Sequence, residues 1–344
     1  MPVKPLEIDL WLPTFGAGVA DGPDQLICDA ARLAESLGFG GLWTIDHPLA
    51  GAEIHDVSWL EPLTALSAVA AVTDRIRLGT AILVAGIRHP IWLAKQLATL
   101  ALVAGDRVTL GAASGWYGKE YESLGVSIQQ RRALTDECLE ATRQLLETPS
   151  VTFSGTGWSF EDVSIAPRPG WRIPFYIGGG SRLPDAGSEN DVAHLSPSVL
   201  NRVARYEGWL APCAGSEQVT IDDLAQVQAT VDGSASFGFS HVQWVHLVDT
   251  DDRERALDEQ IPAFRQTMGS WQSREHLERT YLTGSIGDIR ARLRRLHIAG
   301  FDNVILGPVV RDLDQIELLG GLLTGIAPDG GITLDDREDG ERAT

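Results

Sequence analysis

Cysteine is scarce in this 344-residue chain: Cys28, Cys138 and Cys213 are the whole complement, and no two stand at CxxC spacing. An odd, scattered set of thiols suits a reducing compartment and argues against a secreted disulfide framework. No apolar run approaches the 18 residues or more that a spanning helix needs, so no membrane segment is expected. The opening residues, MPVKPLEIDLW, lack the apolar stretch of a signal peptide, and a cytoplasmic protein is expected. Positive charge is also short, with 28 basic against 47 acidic side chains, a net charge of -19 and a pI near 4.7. Such a chain repels phosphate backbones and anionic lipid surfaces, which argues against nucleic acid as a partner. Lysine occurs only at positions 4, 95 and 119, and arginine supplies the remaining positive charge, a mark of GC-rich coding rather than of mechanism. Internal repeats are absent, and so are the Walker, GxGxxG, GxSxG and HExxH signatures.

What is present is rhythm. Short apolar runs alternate with amphipathic stretches, the pattern of βα units around a parallel sheet. The runs are 8–12, 41–45, 76–83, 107–112, 174–177, 208–210, 241–248 and 303–306. Helical stretches fall at 23–37, 60–72, 90–103, 129–147, 197–206, 221–231, 252–276 and 286–299. Eight strands in about 310 residues favour a closed (β/α)8 TIM barrel, class α/β, over a doubly wound sheet. Residues 151–168 break the rhythm and read as a β-hairpin excursion, with turns at Gly155 and Gly157. Residues 181–195 are polar and irregular, a loop inserted after the fifth strand, with a lid as its functional reading. One barrel over 1–327 is expected, followed by an acidic, disordered tail at 328–344.

In a barrel, function gathers where strands end at the C-terminal face. His47, after the second run, is the acid–base candidate, with Asp46 beside it as a tuning carboxylate. Gly178, Gly179, Gly180 and Ser181 form a turn whose amides and hydroxyl suit an anion, a phosphate above all; a plain tight corner is the bland reading. His55 and Asp56 have no metal-ligand spacing around them, and no metal is expected. Among ten tryptophans, Trp11, Trp43, Trp59, Trp116 and Trp244 fall in or beside strand ends, whereas Trp92 and Trp271 sit in helical stretches and read as packing. Trp11, Trp116, Trp244 and His246 are the expected substrate pocket.

Several segments resemble the bacterial luciferase-like superfamily of flavin- and F420-dependent enzymes. They are LGFGGLWTIDHPL (37–49), the long run at 75–126 from RIRLGTAILV to YESLGV, PFYIGGGS (174–181), SPSVLNRVARYEGWL (196–210) and GSIGDIRARLRRLHIAGFDNVILGP (284–308). The resemblance implies a (β/α)8 barrel holding reduced FMN or the deazaflavin coenzyme F420. It places His47 beside the flavin ring, Ala81 and Ile82 at a bulge behind it with a non-proline cis peptide, and Ser114 and Gly115 near ring or ribityl chain. It makes 178–181 the phosphate turn. Where F420-dependent sugar-phosphate dehydrogenases carry a catalytic glutamate, this chain has Trp116. The leading reading is a two-component monooxygenase using reduced FMN and dioxygen on a small apolar substrate, served by a separate flavin reductase. The alternatives are F420-dependent hydride transfer and a flavin-binding protein that has lost catalysis. The family also implies a homodimer.

Overall fold

The computed structural model describes residues 5–16, 23–50, 57–181, 195–231, 236–268 and 272–323. The chain begins with β1 (Glu7–Trp11), the two-residue β2 (Phe15–Gly16), α1 (Pro23–Leu37), β3 (Gly41–Thr44), the short β4 (Ser58–Trp59) and α2 (Pro62–Ala70). It continues with β5 (Arg77–Thr80), β6 (Leu83–Val84), α3 (Pro90–Ala104), β7 (Val108–Ala113), α4 (Gly118–Ser123) and α5 (Arg131–Glu147). The hairpin is β8 (Val151–Ser154) with β9 (Ser159–Val163), after which come β10 (Phe175–Gly178), α6 (Pro197–Val203), β11 (Gly208–Ala211) and α7 (Glu217–Thr230). The last units are β12 (Gly238–Val245), α8 (Arg253–Met268), α9 (Arg274–Thr280), α10 (Ile286–Ala299), β13 (Asn303–Pro308) and α11 (Leu313–Gly320).

Eight parallel strands close into a ring. The order β10-β11-β12-β13-β1-β3-β5-β7 is sealed by the pairing of β7 with β10, and β6 adds to β7 outside the ring. The expected (β/α)8 barrel is therefore present, and the antiparallel β8–β9 pair is the expected hairpin. Alternation on each strand sorts the side chains. On β1, Ile8 and Leu10 join the apolar layer beneath the helices, while Asp9 and Trp11 face the barrel interior.

Aromatic rings opposite glycines fill that interior. A Cβ on Gly79 would lie 2.5 Å from Trp43 Cε3, and one on Gly307 would lie 2.6 Å from Trp11 Cε3 and 2.9 Å from Trp244 Cε3. Close packing leaves room for one large group per position, so glycine on one strand is the complement of tryptophan on the next. At the N-terminal end Asp9, fully buried, accepts from Trp43 Nε1 at 2.7 Å and pairs with Arg77 at 3.2 Å. The carboxylates of Asp9 and Glu7 hold the Arg77 guanidinium above its ordinary pKa.

Several sequence expectations are corrected. The third run, read as one strand over 76–83, divides into β5 and β6, and the break is the non-proline cis peptide between Ala81 and Ile82 that the resemblance implies. Trp92 is not core: it is 69% exposed, because α3 buries Leu93, Ala94, Leu97, Ala98, Leu100 and Ala101 and position 92 lies off that stripe. The stretch 252–276 is two helices, α8 and α9. The helices α4 and α11 and the β2–β4 pair were not anticipated, being six, eight and two residues long. His55, Asp56, Trp271, nearly all of the 181–195 insertion and the 328–344 tail lie outside the described residues.

Candidate active site

The C-terminal strand ends converge as the sequence places them, but the partners differ. Asp46 and His47 follow β3 side by side, and their side chains part. Asp46 is 2% exposed, takes two hydrogen bonds from Arg88 Nη2 at 2.9 Å each, and accepts from the Val84 amide at 2.9 Å. Arg88 bridges onward to Glu61 at 2.9 Å. Burial raises the Asp46 carboxyl above the usual range, while Arg88 and the Val84 amide pull it down. Asp46 thus faces a structural network, and the expected tuning contact with His47 is not made.

His47 has another partner. Its Nδ1 lies 2.8 Å from Oε1 of Glu120, a fully buried carboxylate on α4. The second oxygen, Glu120 Oε2, is buried without a hydrogen bond among the described residues. A carboxylate oxygen at this distance accepts from an Nδ1–H, which orients the imidazole and leaves Nε2 as its other nitrogen. Sequence reasoning missed Glu120. In G-K-E-Y-E-S both Glu120 and Tyr121 are buried while Lys119, Glu122 and Ser123 are exposed, and six residues show no period that would separate the two glutamates. Tyr121 ties α4 to the end of β7 by donating to the Ser114 carbonyl at 2.6 Å, and burial pushes its phenol up to about 12.

An aromatic wall runs from this pair across the mouth. His47 lies 4.6 Å from Trp59 and 6.1 Å from Trp116, centroid to centroid. Trp59 stacks on Phe15 at 5.2 Å, Phe15 meets Trp244 edge-on at 5.1 Å, and Trp244 meets Trp11 at 4.7 Å. Of the expected pocket residues, Trp11 and Trp244 are buried in the barrel interior, whereas Trp116 is 59% exposed beside His47. The indole Nε1 atoms of Trp11 and Trp59 and the Nδ1 of His246 are buried and unpartnered among the described residues. Burial pushes the His246 imidazole down in pKa, against the charges of Asp312 and Glu259. No group of three metal-ligating side chains occurs among the described residues.

The remaining predicted residues stand at the same face. The Ala81–Ile82 cis step packs against the phosphate-turn candidate, since a Cβ on Gly178 would lie 2.5 Å from Ile82 Cγ2. Gly115, at φ +63°, could carry a Cβ only 2.9 Å from Val84 Cγ1, and Ser114 beside it is half-buried. Ser181 does not fit its assignment. Its amide donates to Asp223 Oδ2 at 2.5 Å and its hydroxyl to Asp223 Oδ1 at 2.8 Å, both residues being 3% exposed.

The profile of the luciferase-like monooxygenases matches residues 15–303. An uncharacterized protein of Mycobacterium tuberculosis is 30% identical over 152 residues, 44% of this chain and 48% of that one. An F420-dependent glucose-6-phosphate dehydrogenase of Amycolatopsis mediterranei is 32% identical over 164 residues, 46% and 48% of the two chains. The matched stretch thus spans about half the length of these relatives. Among solved structures, the monooxygenase RslO1 of Streptomyces bottropensis superposes with a TM-score of 0.75 at 21% identity, over 92% of this chain and 98% of that one. An F420-dependent secondary alcohol dehydrogenase in complex with an F420-acetone adduct gives 0.76 at 18% identity, over 94% and 99%. At these identities the superpositions speak for the fold.

The fit of a flavin or deazaflavin divides in two. At the ring end, glycine backbone, an aromatic wall and unpartnered indole N–H and carboxylate oxygen atoms suit a flat group with a polar edge. At the phosphate end, Ser181 has no donor to offer.

Proposed function

The chain belongs to the luciferase-like monooxygenase family, whose members are monooxygenases or F420-dependent oxidoreductases, and from that premise we propose that it is a monooxygenase using reduced FMN and dioxygen on a small apolar organic substrate. The cofactor supplies the redox chemistry; the protein supplies orientation, proton handling and exclusion of water. The observation that carries the reading is the buried Glu120–His47 pair, at 2.8 Å, opening onto an aromatic wall. Glu120 orients the imidazole, and His47 holds or moves a proton at Nε2, at the edge of the ring site. Trp116, Trp59 and Phe15 form the apolar side against which the substrate lies. Trp11 and Trp244, packed below them, serve as its floor, and His246 stands at the end of β12. Ala81, Ile82, Ser114, Gly115 and Gly178 form the ring cradle.

A second reading, F420-dependent hydride transfer to or from an organic substrate, is favoured by the same histidine, since removing a hydride from an alcohol also requires a base for its proton. A flavin-binding protein without catalysis gives no reason for burying a carboxylate on His47. A separate flavin reductase would supply reduced FMN under the first reading. Exposed Trp92 and Val103 on α3 support the homodimer that the family implies, and a monomer in sedimentation would remove it.

The test is turnover. Purified protein is supplied with a flavin reductase, FMN and oxygen in one series, and with reduced or oxidised F420 under anaerobic conditions in the other, across panels of ketones, alcohols and aromatic substrates. Oxygen-dependent product formation supports the first reading and anaerobic F420 turnover the second. Neither, with cofactor binding intact, supports the non-catalytic alternative.

A further inference from the structure

The turn at 178–181 has the sequence of an anion nest, yet most of its donors are engaged. The Gly179 amide donates to the Leu210 carbonyl at 3.3 Å, and the Gly179 carbonyl accepts from Trp209 Nε1 at 2.6 Å. The Ser181 amide and hydroxyl both go to Asp223, at 2.5 and 2.8 Å. Of three successive amides, only that of Gly180 meets no acceptor among the described residues. Asp223 comes from α7, which packs beside β11, and Pro212 and the Asp223 carboxylate press on Gly180: a Cβ there would lie 2.7 Å from Pro212 Cδ and 3.0 Å from Asp223 Oδ2. A phosphate nest works by presenting several converging amides to one anion. Here a carboxylate of the protein itself occupies that role.

We propose that Asp223 is a specificity-determining residue that closes the Gly178–Ser181 turn to a phosphate group, so that the site selects its cofactor by the ring system rather than by the phosphate. The proposal rests on the reading of the barrel mouth as a flavin or deazaflavin site for its biological meaning, but the turn's chemistry is testable without it. Two charge-assisted hydrogen bonds from Ser181 to a buried carboxylate are among the stronger contacts a protein forms. An incoming phosphate would have to displace them and would receive the same donors in return. The expected contribution of the phosphate to binding is therefore close to nil.

Two measurements decide it. The first titrates FMN and riboflavin, reading tryptophan fluorescence, into wild type, Asp223→Asn, Asp223→Ala and Ser181→Ala. Wild type binds the two ligands within about threefold of each other. In Asp223→Ala, with both Ser181 donors released, FMN gains about tenfold over riboflavin, as one recovered charge-assisted bond predicts. The second follows the melting temperature against inorganic phosphate. Wild type gives no saturable shift, the folded Asp223 variants gain one, and adding Ser181→Ala removes it. Asp223→Asn, which keeps one acceptor, stands in if Asp223→Ala does not fold. A wild-type preference for FMN above about thirtyfold that Ser181→Ala abolishes overturns the proposal, as does a folded Asp223 variant with no phosphate response. If no flavin binds any variant, the FMN reading fails while the F420 reading stands on its own titration, and the phosphate melts alone decide the role of Asp223.

Discussion

Replacing Arg88 with methionine removes the one guanidinium that faces the buried Asp46 carboxylate among the described residues, while keeping a stem of similar volume. In the native protein Asp46 has two 2.9 Å contacts to Arg88 and one to the Val84 amide, at 2% exposure. The variant retains only the amide bond, so a buried charge is left without its counter-ion. Breaking such a pair costs about 3–5 kcal/mol, and the 18% exposure of the Arg88 side chain, which admits water, selects the lower end. Against a typical total of about 5–15 kcal/mol this is a large loss. For a chain of 344 residues the melting temperature moves by about 1.4 °C per kcal/mol, so it falls by roughly 4–6 °C. The pH dependence has a definite sign. Burial already raises the Asp46 carboxyl in the native state, and loss of Arg88 raises it further. A folded-state pKa above the unfolded one contributes stability below the unfolded pKa and loses it as pH rises through the folded pKa. The deficit of Arg88→Met relative to wild type is therefore greatest at pH 8 and shrinks towards pH 5. Comparing the two proteins at each pH cancels groups such as Glu35 and Asp288, whose lowered carboxyls destabilise both in acid. Chemical denaturation of wild type, Arg88→Met, Asp46→Asn and the double variant forms the cycle. A deficit under about 1 kcal/mol, or one constant across pH, refutes the reasoning, because surface-like ion pairs behave that way.

Gly79→Ala should cost about 1–3 kcal/mol by overpacking, since its Cβ would sit 2.5 Å from Trp43 Cε3, and Trp43 is held by its bond to Asp9; adding Trp43→Phe should return part of the loss in urea melts. Cys138 is buried while Cys28 and Cys213 are half-buried, and burial pushes the Cys138 and Cys213 thiols up to about 12, so the native protein should react with Ellman's reagent at pH 8 chiefly at Cys28, and at all three thiols in denaturant. His47→Ala should lower turnover by about 10²–10⁴-fold with cofactor affinity nearly unchanged, and Glu120→Gln, which keeps the shape but not the charge, should lower it in the same direction. Unchanged turnover in His47→Ala removes His47 from the chemistry.

The barrel was legible because each of its strands carries an apolar run bounded by turn residues, and because β-strand spacing repeats over most of the chain. Boundaries slipped where the backbone departs from that pattern: β12 starts at Gly238, three residues before its apolar run, since Gly238 and Phe239 pair with β11 through backbone alone. His47 was legible from its place after β3. Its partner was not, because the His47–Glu120 contact joins residues 73 positions apart through a helix too short to show a period. Asp46 misled for the converse reason. Adjacent residues leaving a strand point apart, so a neighbour in sequence is seldom a partner in space. Glycine-rich 178–181 announced an anion nest, and only tertiary packing brings Asp223, 42 residues on, to Ser181. Of the strand tryptophans, Trp11, Trp43 and Trp244 proved barrel filling, set against Gly79 and Gly307 on adjoining strands.

The central claim is that the mouth bearing His47, Glu120 and the aromatic wall is a flavin or deazaflavin ring site. Its most direct test is equilibrium titration of the purified protein with reduced FMN, oxidised FMN and F420, followed by quenching of tryptophan fluorescence and repeated with Trp116→Phe and His47→Ala. The account predicts saturable binding of one of the three in the micromolar range, about -8 kcal/mol, with quenching diminished in Trp116→Phe and affinity kept in His47→Ala. No binding of any of the three, in reduced or oxidised form, would contradict it.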